Sequence, residues 1–358
     1  MIHRSLVFLF LLVPALAACG PSDVAEDGEG RPDESSLAMP GEVHFANLRQ
    51  LTFGGENAEA YWAFDGSMLV YQARKPGMEC DQIFLLDPET LESTQVSTGE
   101  GRTTCSYFYP DGQRILYSST HHHDASCPPN PDMTMGYVWP IYDTYDVFSA
   151  NLDGSDLTRL TTEDGYDAEA TISPVGDRIV FTSLRDGDLD LYSMNLDGSD
   201  VRRLTDRIGY DGGAFYSPDG SQIVWRAHYP DEGAEADDYL RLLGEGLIRP
   251  GNLEIWVMDA DGSNKRQVTN LGGANFAPYW HPSGDRLLFS SNHEDPEGRE
   301  FDIYMIGLDG TGLTRITSSP EFDGFPVFSP DGRYLVFGSN RNGQGANETN
   351  LFLAEWVE

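Results

Sequence analysis

Large and small side chains alternate in six copies of one short pattern along the chain. Each copy follows a turn tetrad, which is complete in Ser217-Pro218-Asp219-Gly220 and Ser329-Pro330-Asp331-Gly332 and degenerate in the other four copies. A large aromatic residue stands seven residues after the second tetrad position in every copy: Tyr71, Tyr117, Phe181, Trp225, Phe289 and Phe337. Two residues further on stands Ala or Ser. This period of two predicts a β-strand directly after each tetrad.

A second set of aromatic residues marks a further strand in each copy. Its members are Phe84, Phe148, Tyr192, Trp256, Tyr304 and Phe352. In the first five copies these residues are followed by a tight turn and then by Leu, Ile or Val next to Ser or Thr. The turn is Asp-Gly-Ser or Asp-Gly-Thr in four of the five copies, and such residues join paired strands. Together with a strand before the tetrad, each copy therefore contains four strands.

Four-stranded units of this kind must pack on one another, because one unit alone cannot bury both faces of its sheet. Tandem four-stranded units are typical of a β-propeller. The sixth copy ends at Glu358 before its fourth strand, whereas residues 43–52 match a fourth strand at the other end. We therefore predict an all-β fold over residues 42–358, a six-bladed β-propeller of four-stranded blades. The N-terminal strand is expected to close the ring in the last blade.

The six copies resemble the repeats of TolB-type β-propellers, which are relatives of the WD repeat. Similar repeats occur in the propellers of prolyl-oligopeptidase-like enzymes. The resemblance covers residues 43–358, with all six copies in register, and it implies a cell-envelope protein. The peptidase relatives carry catalysis on a second domain, and no Gly-x-Ser-x-Gly nucleophile motif is present here. TolB itself has an α/β domain before its propeller, so the short preceding segment does not favour a TolB-like role in Tol assembly.

The first residues have the pattern of a secretory signal. Arg4 precedes an apolar run over residues 6–16, which is too short to span a bilayer as a mature helix. The run ends in Leu16-Ala17-Ala18-Cys19, which resembles the bacterial lipoprotein signal. This resemblance implies a signal peptide over residues 1–18 and lipidation of Cys19; an ordinary signal with a chance cysteine is the alternative. Residues 19–41 are rich in Gly, Pro, Ser and acids and are expected to form a flexible tether.

The balance of charge excludes two classes of partner. The chain has 58 Asp and Glu against 23 Lys and Arg, which gives a formal net charge of −35. Such a surface repels nucleic-acid phosphates and anionic lipid headgroups. We therefore expect no nucleic-acid partner, and a membrane contact only through the lipid anchor. The acid-rich, lysine-poor composition resembles that of proteins from salty habitats, where charge serves solubility.

The copies differ in length mainly between their second and third strands. Copies two and four carry insertions there, at residues 120–144 and 228–252. In a propeller these loops open on the same face as the loops that lead into the innermost strands. Loops on a rigid scaffold commonly carry function, so we interpret the insertion-bearing face as the functional one. The first insertion also contains four aromatic residues, which form either a binding lid or a small core for the loop: Tyr137, Trp139, Tyr142 and Tyr145.

Polar residues are predicted around the mouth of the channel on that face. They start the innermost strands or follow the strands beside them: Asn57, Asp167, Asp211, Asn275, Asp323, Arg185 and Arg341. As a group they are candidates for binding a small polar molecule, a peptide terminus or a metal ion. The alternative is that these side chains brace neighbouring blades through hydrogen bonds.

Histidine and cysteine residues also concentrate on this face. The candidate ligands for a divalent metal are His121, His123, His228 and His293. Neutral imidazoles beside carboxylates bind Zn or Mn, but no fixed motif is present and a solvated polar loop is the alternative. Of Cys80, Cys105 and Cys127, two are expected to pair in an oxidising periplasm. Our interpretation is a Cys105–Cys127 disulfide within one blade, although the sequence does not fix the pairing.

These features favour a monomeric, lipid-anchored, non-catalytic propeller that binds a protein, peptide or glycan through its insertion-bearing face. In lipoproteins that stay in the inner membrane, the residue after the lipidated cysteine is usually Asp. Here it is Gly20, so the resemblance implies the outer membrane, with the protein facing the periplasm. The alternative is a metal-dependent lyase or hydrolase, since some propeller lyases that act on acidic oligosaccharides resemble this fold and use His-bound metal. A third hypothesis is an accessory subunit for a separate peptidase. The sequence assigns no catalytic residue and no cofactor other than this hypothetical metal.

Overall fold

The computed structural model describes residues 37–358 except 133, 135 and 346, so Cys19 and the predicted signal peptide lie outside the described residues. The first strands are β1 (Phe45–Gln50), β2 (Glu56–Trp62), β3 (Leu69–Arg74), β4 (Gln82–Leu86), β5 (Ser93–Gln95), β6 (Thr103–Phe108), β7 (Arg114–Ser119), β8 (Trp139–Pro140) and β9 (Asp146–Asn151). The next are β10 (Thr158–Arg159), β11 (Asp167–Ile172), β12 (Ile179–Ser183), β13 (Asp190–Met194), β14 (Arg202–Arg203), β15 (Tyr210–Tyr216), β16 (Gln222–His228), β17 (Leu247–Ile248) and β18 (Glu254–Asp259). The last are β19 (Arg266–Gln267), β20 (Asn275–Trp280), β21 (Arg286–Ser291), β22 (Asp302–Gly307), β23 (Thr314–Arg315), β24 (Asp323–Phe328), β25 (Tyr334–Ser339) and β26 (Asn350–Trp356).

Six four-stranded antiparallel sheets confirm the predicted propeller. From the innermost strand outward, blades one to six are β2-β3-β4-β5, β6-β7-β9-β10, β11-β12-β13-β14, β15-β16-β18-β19, β20-β21-β22-β23 and β24-β25-β26-β1. The two aromatic sets of the sequence meet as cross-strand pairs, for example Tyr71 opposite Phe84 and Phe337 opposite Phe352. All members of the two sets are buried except Trp256, which is half-buried, and the hydrophobic core lies within and between the blades.

The ring is closed by the N-terminal strand, as the sequence predicts. Strand β1 pairs antiparallel with β26 in blade six. The segment before β1 adds a buried ionic contact, in which Arg341 donates hydrogen bonds to Glu42 at 2.9 and 3.0 Å and to Asp323 at 2.7 Å. Leu37 is also buried. Residues 37–41, the end of the predicted tether, therefore pack as part of the propeller.

Every innermost strand contains a β-bulge at the same position. The register shifts there in all six blades, and the first bulged residue has a φ between 47° and 59°. These bulged residues are Glu59, Cys105, Glu169, Gly213, Ala277 and Phe325. A left-handed backbone favours glycine, so five of the six blades hold a side chain in an unfavourable conformation. Retained strain of this kind is most common at functional sites.

The two insertions meet and form one structure, which we call the cap (residues 120–144 and 228–252). Strand β8 of the first insertion pairs antiparallel with β17 of the second. The second insertion also forms a helix, α1 (Ala234–Gly244), which the sequence analysis did not predict. Tyr239, Leu242 and Leu243 are its buried residues, at the spacing of one helical face. In the part of the chain that the structure describes, no helix is long and apolar enough to cross a membrane.

Candidate functional site

The central channel contains a small polar cavity between the innermost strands. The space available to the centre of a water-sized molecule is about 30 Å³, which is enough for about two waters. All six bulged residues line this channel cavity, as do Tyr61, Ser106, Thr171 and Arg226. The position directly after each bulge holds only Ala, Ser or Pro, whereas the bulged positions carry Glu, Cys, Glu, Gly, Ala and Phe. The blades therefore differ in chemistry where they face the cavity, and the cavity is one candidate site.

An ion pair forms one wall of the channel cavity. Arg226 of β16 pairs with Glu169 of the neighbouring blade, and both side chains are about nine-tenths buried. The hydroxyl of Tyr210 donates to Glu169 Oε1 at 3.2 Å. The backbone N–H of Gly213 and the hydroxyl of Thr182 donate to Glu169 Oε2 at 3.0 and 2.8 Å. Both carboxylate oxygens are thus hydrogen-bonded and the charge is neutralised, so this pair is a fixed part of the wall.

Glycine at position 213 leaves the space that the Arg226 guanidinium occupies in this ion pair. A Cβ atom at Gly213 would overlap the Arg226 guanidinium, and one at Gly212 would overlap the Glu169 carboxylate. In the other five blades the position of Arg226 holds an uncharged residue. The bulged residue of blade four therefore has no side chain, and the space is filled by Arg226 from the adjacent strand.

The blades on the other side of the channel cavity provide Glu59, Cys105 and Ser106. Burial raises the pKa of Glu59, while the Cys105 thiol and the charge of Arg226 lower it. Burial likewise raises the pKa of the Cys105 thiol, so this thiol stays protonated at neutral pH. Ser106 is 1% exposed, and its hydroxyl has no hydrogen-bond partner in the structure. Ser106 is buried and Glu59 and Cys105 are half-buried, and within the described chain none of the three is in an ion pair as Glu169 is.

Aromatic rings fill the channel on the side of the tetrad turns. The residues two positions after the bulges include Tyr61, Tyr107, Phe215 and Tyr279. Tyr61 and Phe215 come from opposite blades, and their ring centroids are 5.5 Å apart. The ring of Tyr279 lies 5.4 Å from Phe215 and that of Tyr107 lies 5.5 Å from Tyr61. This layer forms the floor of the channel cavity.

The cap covers the other end of the channel. The guanidinium of Arg226 lies 5.5 Å from the ring centroid of Trp139, whose ring also meets Tyr210 and Phe276 edge to face at 6.5 Å. Further cap residues belong to one hydrophobic cluster with the blades, among them Ile141, Tyr239 and Ile248. Of the four aromatic residues, Trp139, Tyr142 and Tyr145 therefore pack in a small core, and Trp139 also covers the ion pair, whereas Tyr137 is exposed.

The outer surface of the cap is acidic, with a few exposed apolar side chains. The first insertion contains three Asp or Glu and the second contains six, against two arginines in all. Both arginines bind cap acids: Arg241 contacts Asp238 and Glu245, and Arg249 contacts Asp238. Tyr137 is 61% exposed and Leu240 is 45% exposed. We call the surface around these two residues the cap surface.

The charged residues predicted at the channel mouth are engaged inside the blades. Arg185 donates to both carboxylate oxygens of Asp167, at 3.1 and 3.2 Å. Arg341 binds Asp323 and Glu42, as described above. Burial raises the pKa of Asp323 to about 6, with Arg341 acting in the opposite direction. These contacts are of the kind expected if the side chains brace the structure through hydrogen bonds. A ligand role for the four residues stays a prediction.

The remaining predicted mouth residues are also buried and hydrogen-bonded. Asp211 accepts hydrogen bonds from Trp225 Nε1 and from the Tyr229 hydroxyl, both at 2.6 Å. Burial raises the pKa of Asp211 to about 7, and these two hydrogen bonds lower it. The Asn57 and Asn275 amides donate to backbone carbonyl oxygens at 2.8 to 3.1 Å. Their ligand role likewise stays a prediction.

The four predicted metal ligands are not brought together. His121 packs on an aromatic ring of its own blade at 4.4 Å, and His293 does the same at 4.5 Å. His228 lies 3.5 Å from the Glu235 carboxylate in the cap, and His123 is exposed. Within residues 37–358, excluding the three undescribed positions, no three His, Cys, Asp or Glu side chains are grouped to hold a metal ion.

The predicted Cys105–Cys127 disulfide is wrong. Cys127 is bonded to Cys80, with 5.7 Å between the Cα atoms, and Cys105 is free. The reason is the β-bulge, which places Cys105 at the channel cavity, whereas Cys127 lies in the cap beside the blade-one loop that carries Cys80. The disulfide therefore ties the first insertion to blade one.

The bulged residues and Arg226 were not predicted from the sequence. A signal for the bulged residues was present in the sequence, because the position five residues before the second tetrad position varies in charge and size while the position after it is always Ala, Ser or Pro. A backbone with positive φ cannot be read from residues such as Glu59, since that conformation normally indicates glycine or asparagine.

The fold and its channel define the class of protein, a closed six-bladed β-propeller with a capped channel. The family model described as TolB beta propeller domain matches residues 138–234 and 247–346, more than half of the chain. The chain belongs to this family of TolB-type propellers.

Several solved structures are similar to this chain. Putative TolB from Agrobacterium tumefaciens has a TM-score of 0.55 and 18% identity, covering 85% of this chain and 91% of that one. TolB from Acinetobacter baumannii has a TM-score of 0.54 and 18% identity over 86% of this chain, which spans 64% of that protein's length. An oligogalacturonate lyase in complex with manganese has a TM-score of 0.50 and 18% identity, covering 87% and 93%. At these identities the likeness shows the fold alone.

Proposed function

We propose that the protein is a lipid-anchored propeller of the bacterial outer membrane, and that it binds a protein, peptide or glycan through the cap surface. The observation that carries this proposal is the joining of the two insertions. They are the main departures from the length of the repeat, and they form one cap through β8 and β17. Two separate loops meeting in one structure support a shared role for them.

The cap surface has the properties of a binding surface. Tyr137 and Leu240 are exposed apolar side chains, and tyrosine is among the residues that contribute most to interfaces. The Nε1–H of Trp139 donates to the Tyr137 hydroxyl at 3.1 Å, so the exposed ring is held by a residue fixed over the channel. A side chain that is already ordered loses little conformational entropy on binding.

The anchor rests on the sequence and on the family. Cleavage after residue 18 and lipidation of Cys19 would leave residues 20–36 as a short tether before the packed structure that begins at Leu37. The similarity to TolB proteins supports an envelope location. A tethered propeller could present the cap surface to a partner in the periplasm.

The proposal is tested by crosslinking in cells of the source organism. A photo-reactive amino acid is placed at Tyr137 or Leu240, and as a matched control at Val175, which is 62% exposed in a tetrad turn on the opposite face. We expect a discrete crosslinked species from the two cap positions and none from position 175. Crosslinks from Val175 alone, or equal crosslinks from all three positions, would contradict the proposal.

A further inference from the structure

We propose that the channel cavity binds one small monovalent cation, held between the Glu59 carboxylate and the Ser106 hydroxyl. This inference concerns the interior of the ring and does not depend on the proposed function of the cap surface.

The charges around the channel cavity do not balance. Its ionisable wall residues are Glu59, Glu169 and Arg226, besides the tyrosine and thiol groups that remain neutral. Glu169 and Arg226 neutralise each other as an ion pair. No Lys, Arg or His of the described chain forms an ion pair with Glu59, although Arg226 influences it at longer range. When Glu59 is ionised, its negative charge therefore has no cationic partner on a half-buried side chain, where an unpaired charge is unfavourable.

Side chains with oxygen atoms that could hold a cation line the same cavity. The Ser106 hydroxyl is 1% exposed and has no partner among the atoms of the structure. The hydroxyl of Thr171, another wall residue, donates to the Ala214 carbonyl at 2.6 Å, so its oxygen can still accept a hydrogen bond or bind a cation. A carboxylate with neutral hydroxyl oxygens is a hard donor set that suits an alkali cation or ammonium.

The size and charge of the channel cavity limit the ligand. Space for the centres of about two waters admits Na⁺, K⁺ or ammonium, but not a large organic cation such as choline. A single positive charge would neutralise Glu59, whereas a divalent ion would leave an excess positive charge. The alternative is that Glu59 takes up a proton and water fills the cavity.

Thermal unfolding distinguishes these possibilities. The melting temperature is measured at one fixed ionic strength, in choline chloride and then in sodium, potassium or ammonium chloride. Ionic strength is held constant because the chain is strongly acidic and responds to screening in general. For wild type we expect at least one small cation to raise the melting temperature by about 4 °C at a hundredfold excess over its dissociation constant.

Three variants locate the effect. Glu59→Gln should abolish the difference between choline and the small cation, and Ser106→Ala should reduce it. Glu163→Gln, which removes the same charge from an exposed loop, should keep the full wild-type difference. The proposal is overturned if wild type melts at the same temperature in all four salts, or if Glu59→Gln and Ser106→Ala both retain the wild-type difference.

Discussion

Closure of the ring depends on a buried ionic contact that can be removed by one substitution. The Arg341 side chain is 1% exposed, and the Glu42 and Asp323 side chains that it joins are fully buried. Arg341→Met would leave two buried carboxylates without a cation. Breaking a buried pair in this way destabilises a protein by about 3–5 kcal/mol. For a domain of this size that corresponds to a melting temperature lower by about 4–7 °C.

The chain offers a matched control at the equivalent position of blade three. Arg185 contacts a single carboxylate, that of Asp167, and its side chain is 15% exposed. Arg185→Met should therefore lower the melting temperature by no more than about half as much, because a more exposed pair contributes less. Both variants are measured by circular dichroism during thermal unfolding at pH 7.5, with the wild type alongside.

The result that would refute this reasoning is an equal loss in the two variants. Equal losses would mean that Glu42 and the segment before β1 contribute nothing to closure. A second check uses pH, since burial already raises the pKa of Asp323 to about 6. The loss in Arg341→Met should be smaller at pH 5 than at pH 7.5, because Asp323 is then protonated.

Two further predictions concern buried groups near the channel. Burial raises the pKa of Asp211 from 3.8 to about 7, so its proton stabilises the fold fully below pH 3.8 and this contribution is lost as the pH rises to 7. Between pH 5 and pH 8, the free energy of unfolding measured in urea should fall by about 2–3 kcal/mol more in wild type than in Asp211→Asn. Parallel pH dependences of the two proteins would contradict the raised pKa of Asp211. Gly213→Ala should destabilise the fold by about 2–4 kcal/mol, because its Cβ would overlap Arg226. The control Gly187→Ala, at a φ of +90° with open space around it, should destabilise the fold by only about 1 kcal/mol. Equal destabilisation by the two variants would mean that backbone strain, and not overlap with Arg226, explains the effect at Gly213.

Most of the fold could be predicted from the sequence because its signals repeat. Six copies of the aromatic and turn pattern define the blades, and each copy supports the register of the others. The closure by β1 could be predicted because the sixth copy lacks a fourth strand and a matching strand precedes the first copy. The start of the innermost strands at residues such as Asp167 and Asp323 was also predicted correctly.

The features that were not predicted depend on contacts between distant segments or on the backbone. The two-residue pairing of β8 with β17 joins insertions that are about 100 residues apart, and neither segment alone has a strand pattern. The Cys80–Cys127 disulfide likewise links two blades. The left-handed backbone at Glu59 and Cys105 belongs to a β-bulge that these residue types do not indicate, so the sequence pointed to the starts of the innermost strands and not to the bulged residues that line the channel.

The central claim is that the cap surface binds the partner, and the affinity of the partner identified by crosslinking tests it most directly. Deleting the insertions is unsuitable, because they share a hydrophobic cluster with the blades. The test variant is Tyr137→Ser with Leu240→Ser, and the matched control is Val175→Ser with Val201→Ser, which are exposed turn residues of the opposite face. We predict a dissociation constant at least about thirtyfold higher for the cap variant, as expected for loss of interface anchors, and an unchanged one for the control. Unchanged affinity in the cap variant, or a loss confined to the control, would contradict the account.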